Sequence, residues 1–184
     1  MSRTLWFNLL AAPALATAPS AAWAADYLTL AEAQRALVPQ AQGFAPYDVT
    51  LSREQLGQIQ KLSGTPQRTP KPRIWRALKA DRTTAGWVLV DEVIGKHEFI
   101  TYATGISPDG HVMGVEIMSY RESHGGEIRE GRWRALFRGK TLADPFRLNK
   151  DIPNISGATL SCRNVTDGVK RLLAIHALLL KGAG

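Results

Sequence analysis

The chain has 184 residues, a formal net charge of +7 and a single cysteine. That length suits one domain with a sizeable core, and one cysteine excludes an intramolecular disulfide, so the fold must rest on packing alone. A basic domain often binds nucleic acid, but here the Lys and Arg residues are dispersed, and the first residues argue for export, where nucleic acid is not an available partner.

Met1-Ser2-Arg3 is followed by an apolar stretch from Leu5 to Ala18 and by Ala22-Trp23-Ala24. A basic start, an apolar centre and an Ala-x-Ala end read as a secretory signal peptide cleaved after Ala24. Asn8 and Pro13 interrupt the stretch and Pro19 follows it, leaving it short for a bilayer span. No Cys follows the cleavage site, which argues against a lipid anchor. Outside the cytoplasm the positive charge suits anionic lipid head groups, an acidic redox partner or simple solubility.

Thr29 to Glu32 forms a capping box that opens a short helix, which Pro39 ends. Gln40 to Asp48 reads as a connector. Ser52 to Gln55 is a second capping box, opening a helix through Leu62 with Leu56 and Ile59 at helical spacing. Ser63 to Pro72, rich in proline and basic residues, reads as a surface linker. Residues 25–72 are therefore an N-terminal helical segment and linker, packed on the main domain as a lid or a brace.

Trp87–Ile94 and Glu98–Thr104 are rich in β-branched and aromatic residues and predict strands, separated by Gly95-Lys96-His97. Ser107 to Gly110 is a Pro-Asp-Gly turn. His111–Tyr120 predicts a third strand with Met113, Val115 and Ile117 on one face. Glu130–Phe137 suits a short helix. A long helix runs from about Ser161 to Lys181, with Val165, Val169, Leu172, Leu173, Leu179 and Leu180 mostly on one stripe, and Gly182 stops it. Strands followed by a long helix predict an α+β fold, an antiparallel meander packed against the C-terminal helix.

Ile155 to Ser161 (Ile-Ser-Gly-Ala-Thr-Leu-Ser) carries the strongest chemical signal. A helix N-terminus presents unpaired N–H groups to an anion. Gly157 and Ala158 let a bulky group approach the backbone, and Ser156, Thr159 and Ser161 add hydroxyls. The simpler alternative is an ordinary helix cap, which needs only one hydroxyl. Arg121 to Glu127 (Arg-Glu-Ser-His-Gly-Gly-Glu) follows the third strand. Its glycines let backbone lie against a planar ligand, and Glu122, Ser123 and His124 offer polar edges; an ordinary polar loop is the alternative.

Ser156-Gly157-Ala158-Thr159, followed by Leu160 and Ser161, resembles the flavinylation motif of the FMN-binding domain family. That family includes the FMN-carrying subunits of sodium-translocating NADH:quinone oxidoreductase and of ferredoxin:NAD oxidoreductase. The resemblance covers roughly Trp87 to Leu180, within a main domain of residues 73–184. It implies FMN joined by a phosphoester to Thr159, installed by an FAD-dependent FMN transferase that requires magnesium. Ser156, Gly157, Ala158, Leu160 and Ser161 would then surround the phosphate, and Glu122, Ser123, His124 and Gly125 would meet the ring. Glu122 and Gly125 match the family's ring segment, whereas His124 stands where that segment has proline. The motif's Asp, six residues before the threonine, is replaced by Pro153, with Asp151 two residues earlier.

The implied function is an exported electron relay with unidentified redox partners, membrane-bound ones included. A flavin reductase acting on a small acceptor and a non-redox binding module that has kept the fold are the alternatives. Other chemistries fare worse. Gly139-Lys140-Thr141 imitates the end of a P-loop, but Arg134 stands where the first glycine belongs. The four histidines (His97, His111, His124 and His176) have no metal-ligand spacing, and there is no Gly-x-Ser-x-Gly elbow. Cys162 reads as a small buried hydrophobe, with a reactive thiol as the alternative.

Overall fold

The computed structural model describes residues 25–183, so the signal peptide read at residues 1–24 lies outside the described residues. Six antiparallel strands form one sheet in the order β1-β6-β5-β4-β3-β2. They are β1 (Ala25–Asp26), β2 (Gly43–Pro46), β3 (Arg73–Leu78), β4 (Thr84–Ile94), β5 (Phe99–Ile106) and β6 (Val112–Tyr120). The helices are α1 (Leu30–Leu37), α2 (Arg53–Ser63), α3 (Gly131–Ala135) and α4 (Thr159–Leu179), with a 3-10 turn at Gly126–Arg129. The α+β reading holds, and the three predicted strands form the centre of the sheet.

The sheet is wider than the sequence suggested. The connector contains β2, and β3 lies unforeseen between the linker and β4. Strand β2 holds a glycine and a proline in four residues, a composition tolerated at a sheet edge because no further strand needs the missing N–H. Strand β3 carries Arg73 and Arg76, which mask its apolar alternation; the Arg76 guanidinium is used on the Thr84 hydroxyl at 2.7 Å.

Both capping boxes form as read. The Thr29 N–H donates to the Glu32 carboxylate at 2.8 Å while the Glu32 N–H donates to the Thr29 hydroxyl at 3.3 Å. Ser52 and Gln55 make the same reciprocal pair at 2.8 and 3.1 Å. Helix α2 packs beside α4, placing Ile59 in the main core.

The two faces of the sheet differ in side-chain size. Trp87, Leu89, Ile100 and Tyr102 point toward α4 and meet Val165, Val169, Leu172 and Leu173, all buried. Burial of each such large side chain stabilises the fold by about 1.5–3 kcal/mol. The opposite face carries Ala77, Ala85, Val88 and Ala103, low enough for α1 to lay Ala33 and Leu37 on them. Met113 joins this second face and not that of Val115 and Ile117. The register slips between Gly105 and Ile106, where Gly105 pairs with Gly114 and Ile106 with Val112. Met113 is the extra residue of that bulge, and one extra residue reverses the alternation.

Helix α4 starts at Thr159, two residues before the predicted start. At mid-length Arg171 donates to Asp91 at 2.5 Å, and the Tyr102 hydroxyl donates to the same carboxylate oxygen at 3.1 Å. Gly168 makes this approach feasible, since a Cβ there would overlap the Tyr102 hydroxyl. Burial, with the Asp91 carboxylate beside it, holds the Tyr102 phenol well above its usual range.

Candidate functional site

The long segment between α3 and α4 is fixed by its own polar groups. Asp151 accepts from the N–H groups of Phe146 (3.1 Å) and Arg147 (2.6 Å) and from Lys140 Nζ (2.9 Å). Burial raises the Asp151 carboxyl, but these donors outweigh it and hold the group below the ordinary carboxylate range. Asp151 thus shapes its own turn. Ile152 is buried in the core, and the Trp133 indole donates to the Pro153 carbonyl at 3.0 Å.

That segment delivers the chain to the first turn of α4. The residue at the cap position is Ala158, which has no side-chain oxygen, and no side chain caps the helix. The first turn carries no acidic residue either. Both common ways of satisfying a helix N-terminus are therefore absent, leaving its N–H groups and its partial positive charge open. The ordinary-cap reading of Ser156, Thr159 and Ser161 fails on this geometry. Thr159 is exposed, and its hydroxyl oxygen accepts from Asn154 Nδ2 at 3.0 Å.

The loop after β6 forms the facing wall. Gly125 adopts φ +80, and a Cβ there would collide with the Ala158 side chain and stand 2.9 Å from the Tyr120 hydroxyl. Only glycine allows the two segments to touch at this point. Tyr120 donates its hydroxyl to the His124 carbonyl, and Ser161 lies buried in the first turn of α4. Burial pushes the Tyr120 phenol up.

Glu122 crosses from this loop to the β4–β5 hairpin. One of its carboxylate oxygens accepts from the N–H groups of His97 (2.6 Å) and Glu98 (3.0 Å). Burial works to raise the Glu122 carboxyl, but the N–H groups of Glu98, His97 and Lys96 together lower it below its usual value.

Between these walls lies a cavity of about 570 Å³ lined by Lys96, His97, Glu122, Ser123, His124, Gly157, Ala158, Thr159, Leu160 and Ser161. Eight of the ten residues singled out from the sequence line it. Ser156 does not, and Gly125 lines instead a second, wider concavity of about 650 Å³, which shares Glu122, Ser123 and His124 with the first. Tyr27 also lines this second space, its ring under the Arg129 guanidinium at 4.3 Å. Sequence reasoning missed Lys96 and His97, although a lysine and a histidine side by side in a hairpin turn were a visible signal. It also missed Asn154, for which the sequence gives none.

Cys162 sits in the same turn, fully buried, with its thiol pushed up by burial. It is a small core side chain and not an exposed thiolate. Among the described residues no helix is long and apolar enough to cross a membrane.

Residues 95–174 match the FMN-binding domain family, a span that contains every residue lining the first cavity. That stretch of the chain is thus similar to the FMN-binding domain family, and the cofactor this similarity indicates is FMN. Over 87 residues it is 31% identical to one of the subunits of the Na(+)-translocating ferredoxin:NAD(+) oxidoreductase complex of Acetobacterium woodii, covering 42% of each chain. It spans less than half the length of that relative. The crystal structure of Shewanella oneidensis NqrC is similar at a TM-score of 0.48 and 16% identity, covering 73% of this chain and 66% of that one.

The residues present fit the cofactor. An uncapped helix N-terminus suits a phosphate, Lys96 adds a cation at the rim, and the cavity has the size of a small-molecule site.

Proposed function

We propose that this protein is an exported electron relay whose FMN is held covalently through a phosphoester at Thr159. One observation carries the reading. The longest helix begins uncapped at a cavity, with an exposed threonine hydroxyl at its first residue, inside the span matched by the FMN-binding domain family.

In this reading residues 1–24 are a signal peptide, residues 25–72 an N-terminal brace and residues 73–184 the FMN-binding domain. The attachment is made by an FAD-dependent FMN transferase using magnesium, with Thr159 as its substrate. Bound FMN supplies reversible electron transfer, and the protein sets its orientation and surroundings. The N–H groups of the first α4 turn hold the phosphate, and Gly157 and Ala158 leave room for it. Ser123 and His124 offer polar edges to the ring, and Glu122 keeps the hairpin wall at a fixed distance. A covalent tether suits a compartment with no pool of free flavin to replace a lost cofactor. The redox partners are unidentified, membrane-bound ones included; the ferredoxin:NAD(+) relative is named as a subunit of a complex.

Intact-mass measurement after co-expression with the transferase tests this directly. An FMN-sized addition is expected in the native chain and none in Thr159→Val. An adduct that persists in Thr159→Val sinks the assignment. Turnover of small acceptors by the purified protein without a redox partner would instead identify a flavin reductase.

A further inference from the structure

The chain just before α4 is pinned on both sides of Asn154. Ile152 is wholly buried, the Trp133 indole N–H holds the Pro153 carbonyl at 3.0 Å, and the Ala158 N–H donates to the Ile155 carbonyl at 3.0 Å. Asn154 between these anchors has little freedom. Its Nδ2 donates to Thr159 Oγ1 at 3.0 Å, and its Oδ1 is buried without a hydrogen-bond partner.

An Asn beside a helix N-terminus ordinarily gives its side-chain oxygen to a first-turn backbone N–H. No side chain does so in α4, and the Asn154 oxygen remains unused although the donors are close in sequence. An unmet buried acceptor carries a free-energy cost. The amide is directed at the hydroxyl and not at the helix.

We infer that Asn154 is the positioning residue for modification of Thr159, fixing the acceptor oxygen before transfer and remaining its donor afterward. This rests on the covalent reading above. In the transfer, a bond forms between Thr159 Oγ1 and the FMN-side phosphorus of FAD, the pyrophosphate P–O bond breaks, AMP leaves, and the hydroxyl proton is released. A free hydroxyl can donate and accept, but an ester oxygen has no hydrogen and only accepts. An Asn154 that offered Oδ1 would lose its partner on esterification. Offering Nδ2, it keeps the same partner in both states. The donated bond also restrains the threonine rotamer and directs the hydroxyl hydrogen away from Asn154, where an incoming base can take it.

The test uses the full chain as substrate for purified transferase with FAD and magnesium, the adduct being followed by intact mass. Asn154→Ala and the near-isosteric Asn154→Asp both remove the N–H donor. Each is expected to lower kcat for flavin transfer about 3- to 10-fold, the effect of one hydrogen bond, with the KM for the protein substrate unchanged. Wild-type kcat in the variants overturns the inference. A loss carried entirely by KM also overturns it, because that marks a docking contact and not a positioned oxygen. Should Asn154→Ala fail to fold, Asn154→Asp, equal in shape, carries the comparison. Thr159→Val in parallel separates the two ideas. An adduct there removes the attachment site itself, whereas no adduct there together with wild-type kcat at position 154 removes only the role of Asn154.

Discussion

Helices α1 and α2 begin with complete capping boxes, whereas α4, the longest helix, begins with an alanine at the cap position and no acidic residue in its first turn. The two short helices satisfy their own ends because nothing else will. The long one leaves its end open where it faces the cavity. An N-terminus unsatisfied by its own sequence, where α1 and α2 close theirs, is a place that suits an external anion.

The contrast can be broken at several points, beginning with the far end of α4, which is sealed by packing. His176 is 1% exposed beneath the Ser107–Gly110 turn, and its Nε2 has no partner. Burial, with Lys181 nearby, lowers its pKa from 6.5 to about 4, so the folded state resists the proton that the unfolded chain accepts. Stability is therefore full above pH 6.5 and falls as the pH drops toward 4, by roughly 3 kcal/mol in total. Denaturant melts across that range should show this acid limb in the native protein and a flatter one in His176→Leu.

Gly125→Ala strikes the seam between the two cavity walls. It combines a left-handed backbone with a collision against Ala158, and a destabilisation of about 2 kcal/mol is expected in chemical denaturation. Ser52→Ala, at a capped end, should cost about 1 kcal/mol and leave the flavin content unchanged. Thr159→Val, at the open end, should change stability by less than about 0.5 kcal/mol while the adduct disappears. A Thr159→Val protein that melted as far below the native one as Ser52→Ala would erase the distinction between the two kinds of end.

Much of the scaffold was legible in the sequence because it is written in local terms. The capping boxes at Thr29 and Ser52, the β-branched runs of β4 and β5 and the stripe of α4 each obey a short-range period. Strands β2 and β3 were not, because a strand of Gly-Phe-Ala-Pro and one carrying two arginines are strands only by virtue of their neighbours. Met113 was assigned to the wrong face because a bulge changes the phase of a strand without any change in composition.

The site divides in the same way. The hydroxyl-rich start of α4 and the Glu122–Gly125 loop stood out from residue types alone, whereas their contact through Gly125 and Ala158 is a product of the fold. The open helix end depends on Ala158, and no neighbouring hydroxyl, landing on the cap position. The loss of the motif's Asp drew attention to Asp151, which the fold uses on the backbone of Phe146 and Arg147, while Asn154, unremarkable in sequence, reaches Thr159.

The reach of Glu122 across to His97 and Glu98 has a mechanical consequence. Through one carboxylate the Glu122–Gly125 loop and the hairpin tip become a single bracket, with Lys96 and His97 on one arm and Ser123 and His124 on the other. Spreading the arms would strip a charged oxygen of two N–H donors, so the opening resists stretching. Such an opening behaves as a gauge and not as a jaw.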